Sequence, residues 1–218
     1  EQTFRIKTVG SPQLDELKFI NNYKKKQKIF SDLNLENINK YILVVYHSVT
    51  EEFYNTQKNF NIFLESLKKI SLPKVWIMPN NDAGSSIIKN DILKKRENDI
   101  YIFDNLSREK YLYLLKNASS IVGNSSSGII EAPTFKVPCV NIGRRQHKRL
   151  RAMNVIDVDT HDKNKIIRAI ERSISKKFKE KLKYLINPYG NGKSSQKIVD
   201  ILTKTKIDKE LLFKEITY

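Results

Sequence analysis

The sequence is poor in cysteine and methionine, in acidic residues relative to basic ones, and in long apolar runs. Cys139 is the only cysteine in 218 residues, which excludes a disulfide within the chain. It lies in the apolar run "VPCVNI", where a free thiol behaves as a small buried hydrophobe, and a reducing, cytoplasmic setting is expected. No apolar stretch approaches the ~20 residues needed to cross a bilayer. The N-terminal "EQTFRIKTVG" lacks the basic-then-apolar order of a signal peptide, so no membrane partner is expected. Methionine occurs only as Met78 and Met153, and the first residue is Glu1, so the chain reads as a piece of a longer polypeptide. Acidic residues number 24 against 40 basic ones, a formal charge of +16, which favours a partner carrying phosphate or carboxylate. Internal repeats and low-complexity tracts are absent. The length suits one generous α/β domain, or a domain with a helical tail, and is short for two.

What is present is an alternation of short apolar runs with longer segments of helical spacing, the pattern of βα units around a parallel sheet. Strands are expected at residues 41–48, 74–80, 99–103, 120–124, 137–143 and 155–158. Between them lie a helix capped by Thr50 with Phe53, Phe60, Phe63, Leu64, Leu67 and Ile70 on its apolar face, a helix over 82–97, and a helix capped by Ser107 with Tyr111, Leu114 and Leu115 inward. Beyond Asp159 a lysine-rich helical pattern runs to "NPYGNG", which breaks it, and "KSSQKIVDIL" starts another helix. The expected organisation is a lead-in and linker over 1–40, a Rossmann-like domain over 41–203 and a basic tail over 204–218.

The stretch "VGNSSSGIIEAPTFKVPCVNIG" places three serines between glycines at the carboxyl end of a strand, where ligands of open parallel sheets bind. Unpaired backbone amides and the hydroxyls of Ser125, Ser126 and Ser127 suit an anion there, and Gly128 allows close approach of a phosphate. Ile129 and Ile130 occupy the places where a Walker A loop carries Lys and Ser/Thr, so the loop is neither that motif nor GxGxxG. A diphosphate held without a required metal or cofactor is the reading, with Arg144 and Arg145 as sources of charge. Glu131 stands one helical turn or less beyond Gly128. It either accepts from two vicinal hydroxyls, as of a ribose, or merely complements a helix end.

These residues, with "PNNDAGS" (79–85), "YHSVTEE" (46–52), "NPYGNG" (187–192) and "VGSPQLDEL" (9–17), resemble the C-terminal half of hydrolysing UDP-N-acetylglucosamine 2-epimerases of the sialic-acid pathway type over residues 9–201. The resemblance implies the second half of a GT-B-like two-domain fold, whose active site lies between two Rossmann-like halves. It implies that Ser125, Ser126 and Gly128 hold the diphosphate, Glu131 binds the uridine ribose, Arg145 lies near the phosphates and His47 acts near the sugar and leaving group. Asn80, Asp82 and Ser85 would face the nucleotide sugar, although Asp82 equally suits a plain N-cap. The chain departs from the family at Ser48, where proline is usual, and at Asn191, where aspartate is common. The implied partners are UDP or UDP-N-acetylglucosamine and the missing N-terminal domain, with a homo-oligomer left open. The reaction implied is elimination of UDP to a glycal and hydration to N-acetylmannosamine, with the isolated piece inactive. Two alternatives stand beside this: a UDP-sugar-dependent GT-B glycosyltransferase domain, and a nucleic-acid-binding module suggested by "RRQHKRLR". The second is disfavoured because few aromatics interleave the basic helix. His147 and His161 are expected at the surface.

Overall fold

A computed structural model describes residues 2–20, 22–94, 99–159 and 161–213. Six strands form one parallel sheet: β1 (Ile42–Val45), β2 (Lys74–Ile77), β3 (Ile100–Phe103), β4 (Ser120–Gly123), β5 (Cys139–Ile142) and β6 (Val155–Val158). Their order is β3-β2-β1-β4-β5-β6, with every neighbouring pair parallel. The α/β, Rossmann-like architecture with flanking helices is therefore as expected. β6 has the expected bounds, β3 starts one residue late, and β1, β2, β4 and β5 end before their expected runs do, because those runs continue past the last ladder pair into the loops at the sheet edge.

The helices are α1 (Tyr23–Asp32), α2 (Thr56–Leu67), α3 (Ser85–Lys94), α4 (Arg108–Asn117), α5 (Ser127–Ile130), α6 (Lys163–Ile174), α7 (Lys176–Lys181), α8 (Ser194–Lys204) and α9 (Lys209–Leu212). Strand residues alternate between two buried clusters, as a period of two requires. Leu43, Val45, Val75 and Ile121 face the layer of α1 and α4, while Ile42, Val44, Trp76 and Val122 face α2, α3 and α6. Residues 1–40 supply Leu14, Leu17, Ile20, Ile29, Phe30, Leu33 and Leu35 to the first cluster.

Three local expectations change. Thr50 does not cap an α-helix: Thr50–Asn55 is 3-10, α2 begins at Thr56, and Phe53 is exposed. Ser107 does cap α4, accepting from the Lys110 amide at 3.4 Å. The lysine-rich segment is broken before "NPYGNG", at Ser175, whose extended backbone ends α6 and whose hydroxyl caps α7. Of the helix expected over 82–97, the observed part is Ser85–Lys94, and residues 95–97 lie outside the described residues. Among the described residues no helix is long and apolar enough to cross a membrane.

Two sequence stretches far apart interlock. Asp15 accepts from the Ser194 and Ser195 amides at 2.9 and 2.6 Å, so a residue of "SPQLDEL" supplies the cap that α8 does not supply itself. The Ser11 amide donates to the Tyr189 carbonyl at 2.8 Å. The glycines of "NPYGNG" make this fit, since a Cβ at Gly192 would meet the Leu14 carbonyl oxygen at 3.0 Å. At the other end of the chain, Arg5 Nη1 donates to the Leu211 carbonyl at 2.7 Å and holds part of the basic tail, of which residues 214–218 lie outside the described ones.

Candidate active site

The chain passes from β1 outward to β2 and β3, then returns to β4 on the other side of β1, so the crevice between the carboxyl ends of β1 and β4 is a topological switch point. His47 follows β1 by two residues and Asn124 follows β4 directly. They are tied together: the His47 amide donates to Asn124 Oδ1 at 2.7 Å, and Asn124 Nδ2 donates back to the His47 carbonyl at 2.8 Å. The Asn124 carbonyl accepts from Gln146 Nε2 at 2.9 Å and from Arg145 Nη1 at 3.4 Å. One buried asparagine thus positions the histidine of one loop and the arginine of another.

Arg145 also faces Asp82, with Nη2 3.5 Å from Oδ2. Asp82 does not serve as a simple N-cap, for its carboxylate takes Asn80 Nδ2 at 2.7 Å and the guanidinium. Arg145, Asp82 and Ser126 line an open cleft of about 770 Å³ with Arg144, His147 and Arg149. Its three guanidinium groups are matched in number by Asp82, Glu51 and Glu52, so attraction for an anionic ligand is local to the side of the cleft where Arg144, Arg145 and Arg149 lie rather than a net charge of the whole. His147 is exposed there as expected.

The Ser-rich loop is built differently from a long helix end. α5 is a single turn, so its dipole is small, and discrete donors must do the holding. Among the described residues the amides of Ser125 and Ser126 donate to no protein acceptor. Gly128 turns inward: a Cβ there would lie 2.5 Å from Cys139 Sγ. Its missing side chain serves packing of α5 on β5, and its amide donates to the Ser125 carbonyl at 3.3 Å. Ser85 is buried at the start of α3 and, like Asn80 and Ser125, stands beside the residues that line the cleft.

Glu131 is buried, only 3% exposed. Its Oε1 pairs with Arg108 Nη2 at 2.5 Å and accepts from Gln13 Nε2 at 3.2 Å, while Oε2 has no hydrogen-bond partner. A buried carboxylate oxygen left unpaired is costly unless a ligand donates to it. Arg108 and Gln13 are themselves exposed, so the cover over Glu131 is made of side chains that water already reaches.

His47 Nδ1 accepts from the Asn80 amide at 3.3 Å. The neutral ring therefore carries its proton on Nε2. Burial, reinforced by the Arg145 charge, lowers its pKa from 6.5 to about 4, against smaller raising effects of the Asn80 hydrogen bond and Asp82. At neutral pH this imidazole offers a hydrogen-bond donor and no positive charge. His161 is not a free surface residue: it is partly buried, its Nε2 lies 3.1 Å from Tyr46 Oη, and burial lowers its pKa too. The apolar setting of Tyr46 and the Gly143 backbone, whose absent Cβ would touch the His161 ring, explain why its polar neighbours in sequence misled.

Both histidines have the same consequence for stability. The unfolded chain binds protons on them below about 6.5, and the folded chain does not until lower pH, so their contribution is complete above 6.5 and is lost as pH falls, for His47 over the range down to about 4. The urea midpoint is expected to fall across this window. His47→Gln should remove about 1 to 2 kcal/mol of that fall and leave the His161 part. A His47→Gln protein with the parent's full pH dependence would refute this assignment.

Sequence reasoning missed Asn124, Gln146, Arg108 and Gln13. Asn124 had a signal, an amide directly after a buried strand. Arg108 had a fainter one, a cation in the first turn of α4 where the helix dipole disfavours it. Gln13, more than a hundred residues from Glu131, had none.

The chain matches the family model described as UDP-N-acetylglucosamine 2-epimerase over residues 1–203. It is 36% identical over 184 residues to a GDP/UDP-N,N'-diacetylbacillosamine 2-epimerase (hydrolyzing) of Campylobacter jejuni subsp. jejuni serotype O:2, covering 83% of this chain and 46% of that protein. It is 33% identical over 218 residues to a UDP-N,N'-diacetylbacillosamine 2-epimerase (hydrolyzing) of Legionella pneumophila, covering 98% and 55%. The chain spans about half the length of these curated relatives. Its fold resembles the UDP-GlcNAc 2-epimerase of Methanocaldococcus jannaschii in complex with UDP-GlcNAc and UDP, with a TM-score of 0.72 and 24% identity over 94% of this chain and 56% of that one. The enzyme from Neisseria meningitidis bound to UDP-GlcNAc aligns with a TM-score of 0.73 at 18% identity, over 90% and 55%.

Proposed function

From the premise that this chain belongs to the UDP-N-acetylglucosamine 2-epimerase family, we propose that it is the UDP-binding, C-terminal half of a hydrolysing epimerase acting on a UDP-linked acetamido sugar. The observation that carries this reading is the pairing of a cleft lined by Ser126 and by the guanidinium of Arg145 with a buried carboxylate oxygen, Glu131 Oε2, that lacks a donor. A nucleoside diphosphate supplies both complements: phosphate oxygens for the cleft and vicinal ribose hydroxyls for the carboxylate. The names of the two bacillosamine relatives favour a 2,4-diacetamido sugar over N-acetylglucosamine.

In the reaction, the bond between C1 and the diphosphate oxygen breaks as a proton leaves C2, giving a glycal and UDP. Water then adds at C1 and a proton returns to the opposite face of C2, which inverts that centre. Negative charge grows on the departing diphosphate. Donors from Arg145, Ser126 and the loop amides that tighten on this charge stabilise the transition state more than the ground state. His47, neutral with its proton on Nε2, is suited to donate a hydrogen bond to the leaving group. The groups that move the C2 proton belong to the part of the enzyme beyond this chain, so the 218-residue chain is expected to bind UDP without turnover.

Calorimetric titration of the chain with UDP, at moderate and high salt, tests the reading. Saturable binding that Glu131→Ala weakens by about tenfold supports it. Absence of UDP binding, with double-stranded oligonucleotide bound in a steeply salt-dependent way, would replace it with a nucleic-acid surface.

A further inference from the structure

Tyr111 lies on α4, pointing inward among Leu112, Leu114 and Leu115 as a core aromatic would. Its phenol, however, reaches the Ser-rich loop. Tyr111 Oη is hydrogen-bonded to Ser127 Oγ, and Ser127 Oγ lies 3.1 Å from Ser125 Oγ. The Ser127 amide donates to Ser125 Oγ at 3.4 Å. Three hydroxyls thus run from the interior to the loop.

The direction of this chain follows from counting protons. Burial raises the Tyr111 pKa far above its ordinary value, so the phenol keeps its one proton. Among the described residues Ser127 Oγ is its only hydrogen-bond partner, and a buried O–H without an acceptor is costly, so Tyr111 donates and Ser127 accepts. The Ser127 proton then has Ser125 Oγ as its acceptor. Ser125 Oγ, accepting from both the hydroxyl and the amide of Ser127, keeps its own proton free. Ser125 is only partly buried, and hydrogen bonds in such a series polarise one another.

We propose that Tyr111 is a positioning residue of the anion site: through Ser127 it turns the Ser125 hydroxyl into a fixed donor for the diphosphate of the nucleotide. This rests on the UDP-binding reading above. Without the phenol, Ser127 is free to rotate and to donate elsewhere, and Ser125 no longer presents its proton in one direction. The cost falls on phosphate recognition, because none of the three hydroxyls is hydrogen-bonded to the ribose carboxylate, whose partners among the described residues are Arg108 and Gln13.

Tyr111→Phe keeps the ring and removes the oxygen. In titrations of the 218-residue chain it is expected to weaken UDP about fivefold to tenfold while leaving uridine unchanged. Ser125→Ala should show the same split, and the double variant should be no worse than Ser125→Ala, since both break one relay. Equal losses for UDP and uridine would make Tyr111 a packing residue and overturn the proposal, as would an unchanged UDP affinity. Should Tyr111→Phe fail to fold, Ser127→Ala cuts the relay at its middle and is judged by the same split. If the parent chain binds no UDP, the functional reading itself falls; if it binds and Glu131→Ala weakens it while Tyr111→Phe does not, only the relay falls.

Discussion

Gly123→Ala is expected to cost more than about 4 kcal/mol and to leave little folded protein. Gly123 is the last residue of β4, paired in register with Val45 of β1, and its φ of +141° lies outside the range L side chains adopt readily. A Cβ there would stand 2.0 Å from the Val45 carbonyl oxygen and 2.6 Å from its carbon. Both atoms are backbone of the neighbouring central strand, so relief requires β1 and β4 to separate, and the switch-point crevice opens with them. Gly143→Ala is the comparison: φ is +72° there, but the nearest atom is a His161 ring carbon at 3.4 Å, so only backbone strain of about 1 kcal/mol is expected. Urea denaturation followed by circular dichroism measures both. A Gly123→Ala protein with the parent's midpoint would show that the β1–β4 junction tolerates separation.

Arg145→Ala is expected to weaken UDP by tenfold to a hundredfold and to leave uridine nearly unaffected. The half-buried guanidinium is held by the Asn124 carbonyl and by Asp82, so it is presented to the cleft in a fixed orientation, and a preorganised cation loses little entropy on binding phosphate. Removing it also uncovers Asp82 as an unpaired negative charge facing the same ligand. Arg144, exposed, should cost only twofold to threefold when replaced by alanine. An independent readout exists in the same variant. Because the Arg145 charge helps lower the His47 pKa, Arg145→Ala should raise it from about 4, as followed by the imidazole resonances in an NMR titration. An unchanged His47 titration together with unchanged UDP affinity would remove Arg145 from the site.

Much of this was legible in the chain itself. The apolar runs at residues 42–45, 74–77, 100–103 and 120–123 are the short continuous runs of strands covered on both faces, and their alternation with helical segments marks βα units. The serines, His47 and Arg145 stand in the loops that follow strands, with Glu131 one short turn further on, where a parallel sheet places its ligands, so their position along the chain already implied one edge of the fold. Local sequence also determined the Ser107 cap. Tertiary structure alone decided the rest. Gln13 and Arg108 reach Glu131 across wide sequence separations, and whether they meet depends on how the chain crosses between layers, which no local spacing encodes. Tyr111 looked like core by its periodicity, and is core by its ring; only the length of a side chain measured against a neighbouring loop brings its oxygen to Ser127. His161 has charged and polar neighbours in sequence yet sits against Tyr46, because burial is set by what lies opposite in space. The sequence determined where ligand-facing groups emerge from the sheet, and the packing of distant segments determined which of their atoms are already paired and which are left for a ligand.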